Sequence, residues 1–290
     1  MLGSAYRVRL AARWDAGDEA LLIALHARRS ASSVLAWRQQ PERRPLLVAL
    51  TGTDLYRDIA TDADAQASLQ LADALVVLNE LGADPLPVAL RHKCHVVLQS
   101  AGSRRPLDKP TRHLRALMVG HLREEKDPRT YFRAARRIAR RADILLDHAG
   151  AALDATLGEE AQALAAAQPT YRWLRGIPHA DARRRIQAAH VLVHPSRMEG
   201  GAHVVIEAMR SATPVLASRI DGNLGLLGTD YAGVFDPGDD TALGAWLERL
   251  RDDPDMLAAL RAQAMARAPL FAPEAEQAAL HRVVARLLKN

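Results

Sequence analysis

The chain has 290 residues, 49% of them hydrophobic and 25% charged, which is typical of a globular protein long enough for two domains. Aromatic residues make up only 4%, which argues against a base-stacking surface for single-stranded nucleic acid. The one cysteine, Cys94, excludes an internal disulfide and a cysteine-based zinc site. The formal charge of +5 is carried mainly by arginines spread along helical stretches, as on solvated helix faces.

No apolar run is long enough to cross a membrane, and the N-terminus lacks the apolar core of a signal peptide. A single cysteine suits a reducing compartment. We therefore expect a cytoplasmic protein that acts on small molecules and binds neither nucleic acid nor membrane.

The first part of the chain alternates short apolar runs with helical patterns. The runs predict strands at residues 20–25, 46–50, 74–78 and 95–98, and a helical pattern covers residues 65–72. Residues 100–112 are polar, contain two prolines and predict a linker. Strands that alternate with helices favour a parallel sheet.

Polar clusters follow the first two predicted strands and are candidates for binding an anionic acceptor. Because the carboxyl ends of parallel strands meet at one edge of a sheet, we expect the clusters to lie together and offer cations, hydroxyls and open backbone. A satisfied buried histidine and a helix-capping aspartate are the alternatives for two of these residues. The clusters comprise His26, Arg28, Arg29, Thr51, Gly52, Thr53 and Asp54.

Two acidic residues, Asp62 and Asp64, resemble a metal-binding pair, but they open a predicted helix, where acidic residues favour the helix dipole. His190 and His194 bracket an apolar strand and so do not share a helix face. We predict no metal site.

The second part of the chain repeats the alternation of strands and helices. Strands are predicted at residues 114–119, 144–146, 191–193 and 214–217, and helices at 128–139, 159–167, 180–189 and 204–211. Residues 243–250, 254–266 and 273–288 form a helical tail. The segment after residue 217 contains three glycines and is interpreted as a flexible loop that lines a cleft.

The segment after the strand at 114–119 combines a glycine with two cations. Gly120 allows a tight turn at the end of the strand, and Arg123 and Lys126 follow in one loop. A helix comes next, which Asp127 can cap and in which Pro128 suits the first position. Cations beside backbone N–H groups suit a diphosphate. A charged helix-capping loop is the alternative interpretation.

Two carboxylates, Glu199 and Glu207, stand eight positions apart around the start of a predicted helix. Gly200, Gly201 and Ala202 lie between them and leave the backbone open to an anion. The pattern suits a nucleotide-sugar, with the diphosphate on the helix end and the ribose and sugar hydroxyls on the carboxylates. A surface turn before a capped helix is the alternative.

The segment from Tyr171 through Trp173 and Leu174 is predicted to be a strand followed by a turn. It offers backbone atoms to a nucleobase edge and an apolar wall beside it. A core position is an equal alternative for Trp173.

These residues resemble a known family over nearly the whole chain. The spacing of Glu199 and Glu207, and of Gly120 and Lys126, is similar to that of the retaining nucleotide-sugar glycosyltransferases with a GT-B fold. Longer segments resemble more specifically the selenosugar synthases of selenoneine biosynthesis. These segments are LLIALHARRSA, VALTGTDLYRDI, VGHLREEKDP, SRMEGGAHVVIEAM and SRIDGNLGLLGTDYAG.

The resemblance implies an α/β fold of two Rossmann-like domains. We expect an N-terminal acceptor-binding domain at residues 1–108, a C-terminal nucleotide-sugar-binding domain at 109–272, and a helix at 273–290 that packs back toward the first. Family chains carry a further strand and a glycine-rich loop before the stretch at residues 6–10, so the N-terminal domain is expected to lack its first strand.

The implied reaction joins a sugar from UDP-N-acetylglucosamine or UDP-glucose to selenophosphate through a carbon–selenium bond. UDP is released, and loss of phosphate leaves a selenosugar, with no cofactor. Glu199, Lys126 and Arg123 carry the implied catalytic roles. His121 stands where the family usually has arginine, so Arg123 is expected to take that role. A glycosyltransferase with a hydroxyl acceptor and a non-catalytic nucleotide-binding protein remain alternatives.

Overall fold

Ten short strands form two separate parallel sheets in the computed structural model, which describes residues 1–289. The chain divides into two units, each described by itself. Unit 1 comprises Met1–Ser100, Glu199–Gly201 and the chain from Leu270 onward, and unit 2 comprises Ala101–Met198 and Ala202–Pro269. The predicted boundary after residue 108 thus lies within unit 2, and unit 1 includes three residues at 199–201 that the sequence did not assign to it.

Unit 1 contains a sheet of four strands in sequential order, all parallel. The strands are β1 (Leu22–Leu25), β2 (Leu46–Ala49), β3 (Ala74–Val77) and β4 (Cys94–Val96). The helices are α1 (Ala31–Arg38), α2 (Ile59–Thr61), α3 (Ala63–Leu71) and, from the end of the chain, α11 (Pro273–Lys289). Within the described chain, residues 1–21 contribute a 3₁₀ turn at Leu2–Ser4 and no strand.

The two faces of this sheet are covered by different parts of the chain. One face packs on α1 and α3, where Trp37 and Leu69 are buried against Leu46 and Val48. The other face packs on α11, whose Val283 is buried among side chains of β2 and β3. Both faces are covered, as a parallel sheet requires, because its strands are apolar on both sides.

Unit 2 contains a sheet of six parallel strands in the order β10-β9-β8-β5-β6-β7. The strands are β5 (Leu114–Val119), β6 (Ile144–Ala149), β7 (Tyr171–Trp173), β8 (Val191–His194), β9 (Val215–Ser218) and β10 (Val234–Phe235). The helices are α4 (Pro128–Arg137), α5 (Ala155–Ala167), α6 (His179–Ala188), α7 (His203–Met209), α8 (Asp221–Leu227), α9 (Asp240–Asp252) and α10 (Pro254–Arg267). The predicted α/β fold with two Rossmann-like sheets is confirmed.

Five helices begin at an aspartate whose carboxylate accepts a hydrogen bond from a backbone N–H group of the first turn. Such a cap contributes about 1 kcal/mol to stability. One of them, Asp62, is the first of the two acidic residues at the predicted helix start, and its carboxylate accepts from the N–H group of Ala65. The five capping residues are Asp62, Asp127, Asp154, Asp239 and Asp253.

The prediction of a flexible loop after residue 217 is wrong, because Asp221–Leu227 forms helix α8. Gly222 and Gly225 are buried inside it. Glycine disfavours a helix in isolation, and the tertiary packing of these buried residues overrides the propensity.

No helix in residues 1–289 combines the length and apolar character that a membrane span requires.

Candidate functional site

The connections of the larger sheet indicate where a ligand would bind in unit 2. The chain leaves β5 toward β6 and β7 on one side and then returns to β8, β9 and β10 on the other. Strands β5 and β8 are therefore neighbours whose following loops diverge. In open parallel sheets such a point leaves a crevice beyond the carboxyl ends of the strands. The loops at this point begin at Gly120 and Pro195.

The start of the loop after β5 is held by its neighbours. The N–H group of Gly120 donates to the carbonyl of Ala149 at 2.9 Å, and the carbonyl of Gly120 accepts from Nε2 of His148 at 3.1 Å. Burial lowers the pKa of His148 to about 4, although the hydrogen bond to Gly120 opposes the shift, so the ring is neutral near pH 7. A Cβ atom on Gly150 would collide with the carbonyl of Gly120, so only glycine fits there.

The two predicted cations of this loop differ in their environment. Lys126 is half-buried, and its Cγ atom would lie 3.6 Å from a Cβ atom placed on Gly120. Arg123 is exposed. The neighbouring His121 is also exposed and accepts a hydrogen bond at Nδ1 from the N–H group of Ala151, at 3.1 Å. The structure thus brings Gly120 and Lys126 together, while Arg123 lies at the surface.

Two arginines stabilise the rest of the loop. Arg129 pairs with Glu124, which offsets one of the two acidic charges beside the predicted cations. Arg197 lies in the loop after β8, and its side-chain Nε atom is 3.2 Å from Oδ2 of Asp127. The backbone N–H group of Arg197 donates to the carbonyl of Glu125 at 2.9 Å. Asp127 has a left-handed backbone with φ of 43° and caps α4. The two loops that flank the switch point are therefore tied to each other.

Glu207 is buried and surrounded by positive or protonatable side chains. Its Oε1 atom lies 2.6 Å from Nε2 of His179, 3.2 Å from Nδ1 of His203 and 3.4 Å from Nη1 of Arg183. Burial alone would raise the pKa of Glu207, but the hydrogen bonds from His203 and His179 and the charge of Arg183 outweigh it and lower the pKa. The carboxylate is therefore ionised at neutral pH, and both of its oxygens are hydrogen-bond acceptors.

The residues predicted to face a nucleobase divide between core and surface. Tyr171 is buried, packs on Phe132 and lies with its hydroxyl 3.2 Å from Nδ1 of His148, so only its backbone is left for the predicted contact. Trp173 is half-buried and donates to the carbonyl of Gly150 at 2.9 Å. The N–H group of Leu174 donates to the carbonyl of His148 at 2.7 Å. Trp173 and Leu174 therefore bond to Gly150 and His148, and His148 in turn bonds to Gly120 at the start of the loop after β5.

The two glycines after Glu199 have a packing role within unit 1. A Cβ atom on Gly200 would lie 2.5 Å from the carbonyl carbon of Thr51, and one on Gly201 would lie 2.8 Å from Leu78. The carbonyl of Gly200 accepts from the side chain of Asn79 at 2.8 Å. The backbone at Gly200 therefore lies so close to the backbone of Thr51 that only glycine fits. Close approach of a ligand to the backbone would require glycine for the same reason. Glu199 itself is 8% exposed, and Ala202 precedes the two-turn helix α7 as its N-cap residue without a side-chain cap.

Replacing Gly200 by alanine is expected to lower the free energy of unfolding by about 1–3 kcal/mol, because the added methyl group meets rigid backbone of Thr51 and Gly52. Urea denaturation measures the difference. Gly3→Ala is the matched control, since a Cβ atom there meets nothing within 4 Å. Equal stability of both variants would contradict the packing role of Gly200.

The predicted acceptor residues do come together at the carboxyl edge of the sheet of unit 1. Nε2 of His26 lies 3.0 Å from Oγ1 of Thr53. Asp54 is fully buried and accepts from the N–H groups of Ala27 and Thr51 at 2.8 and 2.7 Å. Asp54 thus holds the loops after β1 and β2 together. His26 is buried and has a left-handed backbone with φ of 73°, which aims its ring into this cluster.

A second buried carboxylate changes the charge of the acceptor cluster. Asp58 ends the π-helical turn Asp54–Asp58 and lies 3.0 Å from Nε of Arg28 and 3.9 Å from Nε2 of His26. Asp58 therefore offsets the positive charge of Arg28, and Asp54 lies 3.7 Å from Nδ1 of His26. Arg29 is exposed. The cluster predicted to be cationic therefore contains an additional carboxylate, that of Asp58.

Five residues of these sites were missed in the sequence: Asp58, His179, Arg183, Arg197 and His203. Asp58 follows Asp54 by four positions and His203 precedes Glu207 by four, a spacing that could have signalled a shared helical face. The other three contact Glu207 or Asp127 only through the fold, since His179 and Glu207 are 28 positions apart. No local pattern marks such partners.

Comparison with known proteins gives one family match. The family model described as glycosyl transferases group 1 matches residues 100–267. The chain is also similar to D-inositol 3-phosphate glycosyltransferase 1 of Catenulispora acidiphila, with 38% identity over 95 residues. The aligned part covers 32% of this chain and 23% of that protein, so it spans about a quarter of the curated relative's length.

Several solved structures share the fold. Sucrose-phosphate synthase from Thermosynechococcus elongatus has a TM-score of 0.76 and 20% identity, covering 93% of this chain and 74% of the other. Alr3699/HepE of Anabaena, in complex with UDP and glucose, has a TM-score of 0.74 and 15% identity, covering 92% and 78%. A TarM mutant of S. aureus in complex with UDP has a TM-score of 0.73 and 12% identity, covering 93% and 55%.

Proposed function

Because the chain belongs to the group 1 glycosyl transferase family, we propose that it is a GT-B glycosyltransferase that uses a UDP-sugar. The observation that carries this proposal is the loop Gly120–Asp127, which lies at the switch point of a six-stranded sheet and holds a half-buried lysine against a glycine. Lys126, with Arg123, binds the diphosphate and stabilises the charge that develops on the leaving UDP.

Glu207 accepts hydrogen bonds from the hydroxyl groups of the UDP-sugar. It is buried and ionised, so a ligand hydroxyl can donate to a fixed acceptor without reorganisation. Glu199, Gly200, Gly201 and Ala202 are proposed to complete the donor site, and the reaction needs no cofactor. His121, Trp173 and Leu174 border the same site, as does the backbone of Tyr171.

The specific reaction proposed is selenosugar formation, which follows from the resemblance of five segments to selenosugar synthases. The selenium of selenophosphate attacks the anomeric carbon, the bond from that carbon to the β-phosphate oxygen breaks, and UDP leaves with the electron pair. Water then cleaves the selenium–phosphorus bond, releasing phosphate and the selenosugar. Selenophosphate is a polarisable anion, so the acceptor needs cations and N–H donors more than a general base.

One observation favours a second candidate function. Asp54 and Asp58 lie beside His26 and offset the positive charge of the acceptor cluster. A histidine held among carboxylates is suited to accept a proton from a hydroxyl group. This arrangement supports transfer of the sugar to a neutral hydroxyl acceptor.

The test incubates the purified chain with UDP-N-acetylglucosamine or UDP-glucose, with and without selenophosphate, and follows UDP and products by mass spectrometry. We expect UDP release and a selenium-containing sugar only when selenophosphate is present. Donor turnover with hydroxyl compounds, and none with selenophosphate, would favour the second candidate. Binding of the UDP-sugar without turnover of any acceptor would identify a nucleotide-binding protein.

Arg28→Ala is expected to raise KM for selenophosphate about tenfold and to leave KM for the UDP-sugar unchanged, because a hydrogen bond to a charged group contributes about 1.5–3 kcal/mol. Initial rates at varied concentrations of each substrate provide the measurement. Arg57→Ala is the matched control, since Arg57 also lies 3.0 Å from Asp58. An equal change in both KM values would argue against a separate acceptor role for Arg28.

A further inference from the structure

Three side chains in unit 2 bring metal-binding atoms to one point. His179 is the first residue of α6, His203 is the first residue of α7, and Glu207 lies one turn further along α7. One nitrogen of each histidine and one oxygen of Glu207 lie within 4.8 Å of one another. His203 and Glu207 are four positions apart, so they share a helix face.

The distances are close to those of a zinc site. In a tetrahedral site with bonds of about 2.0–2.2 Å, neighbouring ligand atoms are about 3.3 Å apart. Nδ1 of His203 is already 3.2 Å from Oε1 of Glu207, and Nε2 of His179 is 2.6 Å from it. The His179–Glu207 separation therefore has to widen by about 0.7 Å to reach the tetrahedral spacing. The side chain of His179 is 72% exposed, so the ring can rotate.

We propose that His179, His203 and Glu207 bind a divalent transition-metal ion, with Zn²⁺ the best match, and that this ion competes with the UDP-sugar for Glu207. Two imidazoles and a carboxylate are the ligands of open zinc sites, in which a water or a ligand atom takes the fourth position. The competition, but not the metal site, rests on the proposed function.

The environment of Glu207 sets the expected strength of the site. The Oε1 atom of Glu207 is buried at the centre of the group, 2.6 Å from His179 and 3.2 Å from His203. Nη1 of Arg183 lies 3.4 Å from the same oxygen, and Nη2 donates to the carbonyl of Gly102, which holds the guanidinium in place. This fixed positive charge opposes a cation. We therefore expect binding that is weaker than in a closed structural zinc site and reversible by chelators.

The first test titrates Co²⁺ into the tag-free full chain and records the visible spectrum, because cobalt bound by four ligands absorbs strongly. We expect saturation at one equivalent and displacement by Zn²⁺. His179→Ala and His203→Ala are each expected to weaken binding by at least about 100-fold, since even outer-shell partners contribute about 10- to 100-fold. His92→Ala is the matched control, an exposed histidine of unit 1, and should bind as the wild type does.

Failure of Co²⁺ and Zn²⁺ to bind, or equal binding by all three histidine variants, would overturn the metal site.

The second test adds UDP-N-acetylglucosamine to the cobalt-loaded protein, and we expect the visible bands to disappear as the sugar nucleotide binds. Calorimetry of the same sugar nucleotide in the presence of a chelator measures donor binding alone. Donor binding without metal binding would refute this inference and leave the proposed function intact. Metal binding that the donor does not reverse would refute the competition.

Discussion

Lys126→Ala is expected to lower kcat/KM for the UDP-sugar by about 100-fold or more, because removal of one electrostatic donor to a developing anion typically has this effect. Lys126 is the cation that the structure places against Gly120 in the loop after β5. Steady-state release of UDP provides the measurement. Arg136→Ala removes an exposed cation from the adjoining helix α4 and serves as the matched control.

Two results would separate a catalytic from a merely structural effect. Lys126→Ala should retain the unfolding midpoint of the wild type in urea, because the lysine is only half-buried. Lys126→Arg should recover part of the activity, since it restores the charge but not the shape. A variant that loses less than about tenfold in kcat/KM would remove Lys126 from the diphosphate site.

Glu207→Ala is expected to lower the free energy of unfolding by about 3–5 kcal/mol, because it leaves the buried guanidinium of Arg183 without its carboxylate. Donor affinity should fall in the same variant, since the hydroxyl acceptor is lost. Urea denaturation and calorimetry with the UDP-sugar provide the two measurements. Glu159→Ala, at an exposed position of α5, should change stability by less than about 0.5 kcal/mol.

The contribution of Glu207 to the free energy of unfolding is expected to fall as the pH is lowered. The pKa of Glu207 is lower in the folded state than the ordinary glutamate value of about 4.3. Its ionised form therefore stabilises the fold fully above that ordinary value, and the contribution is lost as the pH falls through the folded-state pKa. The stability difference between the wild type and Glu207→Gln should shrink on acidification below about pH 4. A difference that stays constant with pH would show that Glu207 acts through packing alone.

The strands were predictable because each is an apolar run closed by a polar turn, and buried parallel strands have this pattern. Strand β10 was missed, since two residues, Val234 and Phe235, are too few to show a period. Helix α8 was missed because its glycines indicate a loop when their tertiary partners are unknown. Local patterns therefore predicted the long elements, and the failures fall where packing decides the conformation.

The candidate site was predictable in part for a related reason. Gly120 and Lys126 lie in one loop, so their spacing could be recognised in the sequence. The partners of Glu207 come from a different helix, α6, and only the fold brings His179 and Arg183 to it. The charge of the acceptor cluster was misjudged because Asp58 is buried beside Arg28, and burial cannot be read from the sequence alone.

Helix α11 covers one face of the sheet of unit 1, although its sequence lies at the opposite end of the chain. Leu47 and Val76 are buried in the same cluster as Val283. During synthesis on the ribosome these strands emerge long before helix α11, so an apolar surface stays open to solvent until α11 has been translated. Nascent chains of this protein should therefore be clients of chaperones that bind exposed apolar segments, and the first unit should complete its folding after the second.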